Sequence, residues 1–82
     1  PMEFPEGYYS VKDTMEDLAK NEEALALAAK AVKLATNFDI KPGVGMWDMM
    51  KKMTPEAMSN MISGMPEGFI ESLNAQLIKV KK

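Results

Sequence analysis

The stretch that most constrains this chain is Asn21 to Phe38, Asn-Glu-Glu-Ala-Leu-Ala-Leu-Ala-Ala-Lys-Ala-Val-Lys-Leu-Ala-Thr-Asn-Phe. Wound at about 100° per residue, it places Ala24, Leu25, Leu27, Ala28, Ala29, Ala31, Val32, Leu34, Ala35 and Phe38 on one broad arc. Glu22, Glu23, Lys30, Lys33 and Asn37 share the narrow remainder with Ala26. The arc is roughly twice the ~100° apolar stripe of an ordinary surface helix, so this segment reads as a helix covered on two sides. Asn21 suits the N-cap, Glu22 and Glu23 the positive end of the dipole, and Lys30 and Lys33 its negative end. The fold expected is all-α, a compact bundle of four or five short helices around this central one.

The rest of the chain divides at its turn residues. Pro1 to Ser10 holds two prolines, a glycine and three aromatics and reads as an extended lead-in or a linker remnant; Phe4, Tyr8 and Tyr9 lie over the bundle or belong to that linker. Pro1 itself follows removal of an initiator methionine or marks a cut from a longer protein. Residues 11–82 form the helical domain. Asp13 or Thr14 caps a short helix with Met15, Leu18 and Ala19 inward, and a break falls at Lys20–Asn21. Pro42, Gly43 and Gly45 end the central helix. Met46 to Met53 is long enough for about two turns. Thr54-Pro55-Glu56 restarts a helix, with a cap, a proline at the first position and an acid behind it, and that helix ends near Ser63–Gly64. Pro66–Glu67 opens the last helix, whose stripe is Phe69, Ile70, Leu73, Leu77 and Val80.

Absences narrow the chemistry. With no histidine and no cysteine, the commonest general base, the commonest metal ligand and any disulfide are missing. All ten basic residues are lysines, and the net charge is −2, so the basic footprint of a nucleic-acid binder is lacking. Eight acids against four lysines leave residues 1–40 at −4, while 41–82 carry +2, an asymmetry that solvated faces explain. No apolar run approaches the ~18 residues of a membrane span, and no signal-peptide pattern opens the chain. A cytoplasmic, reducing setting is expected, with no cofactor, no metal and no membrane partner.

Seven of the nine methionines fall within Met46 to Met65. Met46, Met49, Met50 and Met53, at i, i+3, i+4 and i+7, would share one face of one helix. Unbranched methionine fills irregular gaps between short helices, so core is the first reading, with at least Met50 and Met53 buried. The alternative is a pliable groove for a partner's apolar segment, lined by Met46, Trp47, Met49, Met50 and Met53. Trp47 is read as a core plug. Gly43-Val44-Gly45 lacks the strand, third glycine and Lys-Ser pair of a phosphate loop and reads as a turn. Glu16/Asp17 and Glu22/Glu23 are dipole partners at helix starts, and Lys79, Lys81 and Lys82 are too few to hold a membrane. No residue is assigned a catalytic role.

Thr14-Met15-Glu16-Asp17-Leu18-Ala19-Lys20-Asn21-Glu22-Glu23-Ala24 resembles the entry of a small helical module at the C-terminal end of some bacterial family 3 β-glucosidases and related carbohydrate-active proteins. The later order is similar: Gly45-Met46 before a helix, Thr54 opening another, and Pro66 through Leu77 closing. Glu22 stands where that module commonly has proline, and Asn37-Phe38-Asp39 replaces its Leu-Pro-Gly. The resemblance implies a non-catalytic accessory domain, appended to a glycoside-processing enzyme and associating with its own copy or with the parent's other domains. The competing expectation is a free-standing adaptor that binds an amphipathic or hydrophobic peptide in the methionine groove.

Overall fold

Three side-chain caps set the frame of the computed structural model, which describes residues 1–82. The Thr14 hydroxyl accepts from the Asp17 N–H at 3.2 Å, the Asn21 Oδ1 from the Ala24 N–H at 3.0 Å, and the Thr54 hydroxyl from the Ala57 N–H at 3.0 Å. Each satisfies one of the donors that a helix start leaves free. They open α1 (Met15–Leu18), α2 (Glu22–Thr36) and α4 (Pro55–Ser59); α3 (Trp47–Met50) and α5 (Phe69–Leu77) start without a side-chain cap. The fold is all-α, with five helices and no strand.

The longest helix, α2, packs against α1 and α5, and α4 packs against α5. It ends at Asn37, whose left-handed φ of 66° lets its N–H close on the Lys33 carbonyl, the usual way for a helix to stop. Its buried side chains are Ala24, Ala28, Ala31 and Val32, a single stripe at i, i+4, i+7 and i+8. Leu34, at 69% exposure, and Phe38 stand in solvent. The broad arc expected to be covered on two sides therefore keeps part of its apolar surface outside.

Several helix bounds differ from the sequence expectation. α3 is one turn, not two. The Lys51 and Met53 carbonyls accept from the Glu16 and Met15 N–H groups, at 3.0 and 2.8 Å, so they serve the open N-terminus of α1. Thr54 is extended, as a residue before proline must be. α4 stops at Ser59 and runs out through tight turns that bond Met61 to Met58 and Ile62 to Ser59. α5 starts at Phe69, because Gly68 is left-handed with φ 80° and cannot continue a right-handed helix.

The core gathers Tyr9, Val11, Met15, Leu18, Ala24, Ala28, Ala31, Trp47, Leu73, Leu77 and Val80. Tyr9 to Val11 is not helical, yet all three residues are buried. The Tyr9 N–H donates to the Val80 carbonyl at 3.0 Å, and the Val11 carbonyl accepts from the Glu56 N–H at 3.1 Å. Val11 N–H donates to the Oδ1 of Asn74, a residue only 1% exposed, at 3.0 Å. The Asn74 Nδ2 donates in turn to the Glu3 carbonyl at 2.8 Å. One α5 amide thus fastens the N-terminal segment at two points. Tyr8 pairs with Lys81 in an isolated antiparallel bridge, and Lys82 reaches Asp13 at 3.0 Å.

Candidate functional site

The methionine stretch separates into two places. Around α3, the Asp39–Gly45 connection turns on Gly43 and Gly45, both at positive φ, and pairs Lys41 with Val44. This leads into Trp47, which is buried in the core, and Met50, also buried. Met53 is half-buried. Met46 is exposed, and Met49 is 75% exposed. The shared face expected of Met46, Met49, Met50 and Met53 depended on two continuous turns. With only one turn formed, the set divides into exposed Met46 and Met49, half-buried Met53 and buried Met50, and Trp47 belongs to the core. Val44 is exposed as well, so three large apolar side chains stand in solvent within six residues.

The second place was not anticipated as a site. Met58 on α4 and Met65 in the following turn join Ala28, Ala31 and Val32 of α2 and Phe69, Ile70 and Leu73 of α5 around an apolar crevice. Its free volume is about 30 Å³, room for one or two waters at most. The two hydroxyls in its wall are already used: Thr36 donates to the Val32 carbonyl and Ser59 to the Glu56 carbonyl, each at 2.7 Å. A second, more open depression shares Ser59, Met65, Phe69 and Ile70 with the crevice and is also lined by Glu56, Asn60 and Glu71. The spacing of Met58 and Met65 was visible in the sequence; that the chain after Ser59 folds back over α2 was not.

Polar groups elsewhere serve the fold. Ser10 Oγ accepts from the Lys12 N–H, and the Asp13 carboxylate accepts from the Ser10 N–H. No buried side-chain nitrogen or oxygen lacks a partner. No three carboxylates gather where they would hold a metal ion. The hydrogen bond and charge of Lys20, 3.0 Å away, hold the Asp17 carboxyl below its usual range, with help from Thr14. Lys20 is raised by the same bond. Both groups lie at the surface end of α1, so this is a helix-terminus ion pair and not an activated acid. No helix is long and apolar enough to cross a membrane.

No family model, curated protein or solved structure matches the chain.

Proposed function

We propose that this chain is a non-catalytic helical accessory domain, a small bundle arranged around α2, whose work is association with its own copy or with other domains of a parent enzyme. The observation that carries the reading is the exposure of Val44, Met46 and Met49 within six residues, next to a Trp47 and a Met50 committed to the core. Exposed apolar groups concentrated in one short segment are what an interaction surface requires. The lack of histidine and cysteine and the use of the hydroxyls of Ser10, Thr14, Thr36, Thr54 and Ser59 in local backbone bonds support the absence of catalysis. The resemblance of Thr14–Ala24 to the accessory module of family 3 β-glucosidases makes a glycoside-processing enzyme the proposed parent, and the lack of cysteine favours a cytoplasmic setting.

Sedimentation velocity tests this on the wild type and on Val44→Lys/Met49→Lys, alone and with any domain encoded upstream of Pro1. Association lost in the double variant, with circular dichroism unchanged, is the expected result. A wild type that stays monomeric and leaves the upstream domain unbound overturns the proposal. A second reading, the adaptor that holds an apolar segment against methionines, is favoured by the crevice at Met58 and Met65 instead of by α3.

A further inference from the structure

The chain has nine methionines and no cysteine, so its thioethers are the side chains on which a peroxide acts first. Burial sorts them. Met15 and Met50 are buried, Met46, Met49 and Met61 are exposed, and the other four are half-buried. Oxidation turns an apolar thioether into a polar sulfoxide, which disrupts a core that contains it. Met46 and Met49 belong neither to the core nor to the partly buried side chains packed on it. Their position does not depend on their side chains. Trp47 and Met50 anchor α3 by their burial, and backbone bonds to the Met46 and Trp47 carbonyls, between 2.8 and 3.1 Å, close its turn. A sulfoxide at Met46 or Met49 therefore changes the chemistry of the surface formed with Val44 and leaves the fold in place.

We propose that Met46 and Met49 form an oxidation site for hydroperoxides that turns off association through this surface; the proposal rests on the association reading above. The thioether sulfur attacks one peroxide oxygen, the O–O bond breaks and a sulfur–oxygen bond forms. Sulfur gives up two electrons, and the other peroxide oxygen leaves as water, or as an alcohol from an organic peroxide. A methionine sulfoxide reductase reverses the step: its dithiol is oxidised to a disulfide, and the sulfoxide oxygen leaves as water. An interface over Val44, Met46 and Met49 must then bury an oxygen that water had solvated. Without a partner for that oxygen, association weakens by at least about tenfold. Met61, at 73% exposure against 75% for Met49, is open to the same reaction but lies beyond the end of α4, outside this segment, and supplies an internal control.

The test is sedimentation velocity before and after brief treatment with hydrogen peroxide, on the chain alone and with any domain encoded upstream of Pro1. Treatment is stopped while mass spectrometry still finds Met15 and Met50 unoxidised. The wild type should associate before treatment and lose at least about tenfold in affinity after it, with circular dichroism unchanged. Methionine sulfoxide reductases and dithiothreitol should restore association. Met46→Leu/Met49→Leu keeps an apolar surface without sulfur, so it should associate and stay indifferent to peroxide, while Met61→Leu should respond as the wild type does. A wild type that never associates overturns this proposal together with the association reading. A wild type that associates equally well before and after oxidation of Met46 and Met49 overturns this proposal alone, as does a leucine double variant that peroxide still dissociates. Reductase treatment requires no substitution, and failure to restore association while the fold is intact overturns the proposal too.

Discussion

Asn74 should be the most sensitive polar position in the chain, and the size of the effect follows from its two bonds. Truncation to alanine leaves the N–H of Val11, a residue with no exposure, without an acceptor. An orphaned buried donor costs about 1–3 kcal/mol. The Glu3 carbonyl loses its donor too, but Glu3 is exposed and water replaces most of that bond, so it adds about 1 kcal/mol or less. Asn74→Ala should therefore cost roughly 1–4 kcal/mol in total. At about 4–8 °C per kcal/mol for a domain of this size, a mid-range ~2.5 kcal/mol lowers the melting temperature by roughly 10–20 °C. Gln76→Ala on the same helix is the control, since that amide is exposed and bonds only to the Ser72 carbonyl, at 3.3 Å; it should stay within about 0.5 kcal/mol. Asn74→Asp isolates the polarity of the pair. Only a protonated carboxyl can both accept from Val11 N–H and donate to the Glu3 carbonyl, so burial should raise its pKa in the fold above the ordinary ~3.9. A raised folded-state pKa gives stability that is complete below the unfolded value and lost as pH rises through the folded one. Urea titrations from pH 4 to 8 should show the aspartate variant falling away from wild type as pH increases, by about 1.4 kcal/mol for each unit of upward shift. An alanine variant no weaker than the Gln76 control, or an aspartate variant whose deficit is flat with pH, would refute this account of the N-terminal fastening.

Thr54→Ala should cost about 1 kcal/mol through loss of the Ala57 cap, read by chemical denaturation, and Thr54→Ser should recover most of it. Val32→Asp puts an unpaired charge on the buried stripe of α2 and should unfold the domain or nearly so, seen as loss of the cooperative thermal transition. Under brief peroxide treatment of the folded chain, mass spectrometry should find Met49 and Met61 oxidised first and Met15 and Met50 last, following their exposure. Lys20→Ala should return the Asp17 carboxyl toward its ordinary range in an NMR pH titration. Because Asp17 is depressed in the fold, its contribution is complete above the unfolded carboxylate pKa and lost as pH falls through the lower folded one. Lys20, being raised, contributes below the unfolded lysine pKa and loses that as pH rises through its higher folded value.

What could be read in the sequence was local. Thr14, Asn21 and Thr54 each bond within three residues of themselves, and each is followed by acids in the first turn, so those three helix starts needed no tertiary information. The stripe Leu73, Leu77 and Val80 was legible for the same reason, since its period is a property of the helix alone. Where a helix stops is a different matter. α3 ends because the Lys51 and Met53 carbonyls meet the open N-terminus of α1, more than thirty residues earlier in the chain, and no pattern within Met46 to Met53 records that meeting. The four-methionine face was lost with the second turn.

The breadth of the α2 arc misled for a related reason. Alanine is apolar but small, and an alanine-rich face scores the same whether or not a neighbour covers it. Leu34 and Phe38 distinguish the two cases, and they stand in solvent. The chain covers only what a short core requires, and it does so with a non-helical piece, Tyr9 to Val11, inserted against α4, α5 and the C-terminal Val80. Proline, glycine and aromatics in Pro1 to Ser10 correctly exclude a helix there, but exclusion of a helix does not say whether a segment is loose or locked. The answer lies in one asparagine 63 residues away from the backbone it holds. An asparagine inside a helix stripe, adjacent to Leu73 and three residues from Leu77, is out of place on propensity. A polar residue that breaks an otherwise apolar helix face is the one sequence signal that pointed to this fastening, since burial of an amide is tolerated only when both its oxygen and its nitrogen find partners. The crevice beside α2 escaped notice because its walls are mostly ordinary apolar residues contributed by three separate helices.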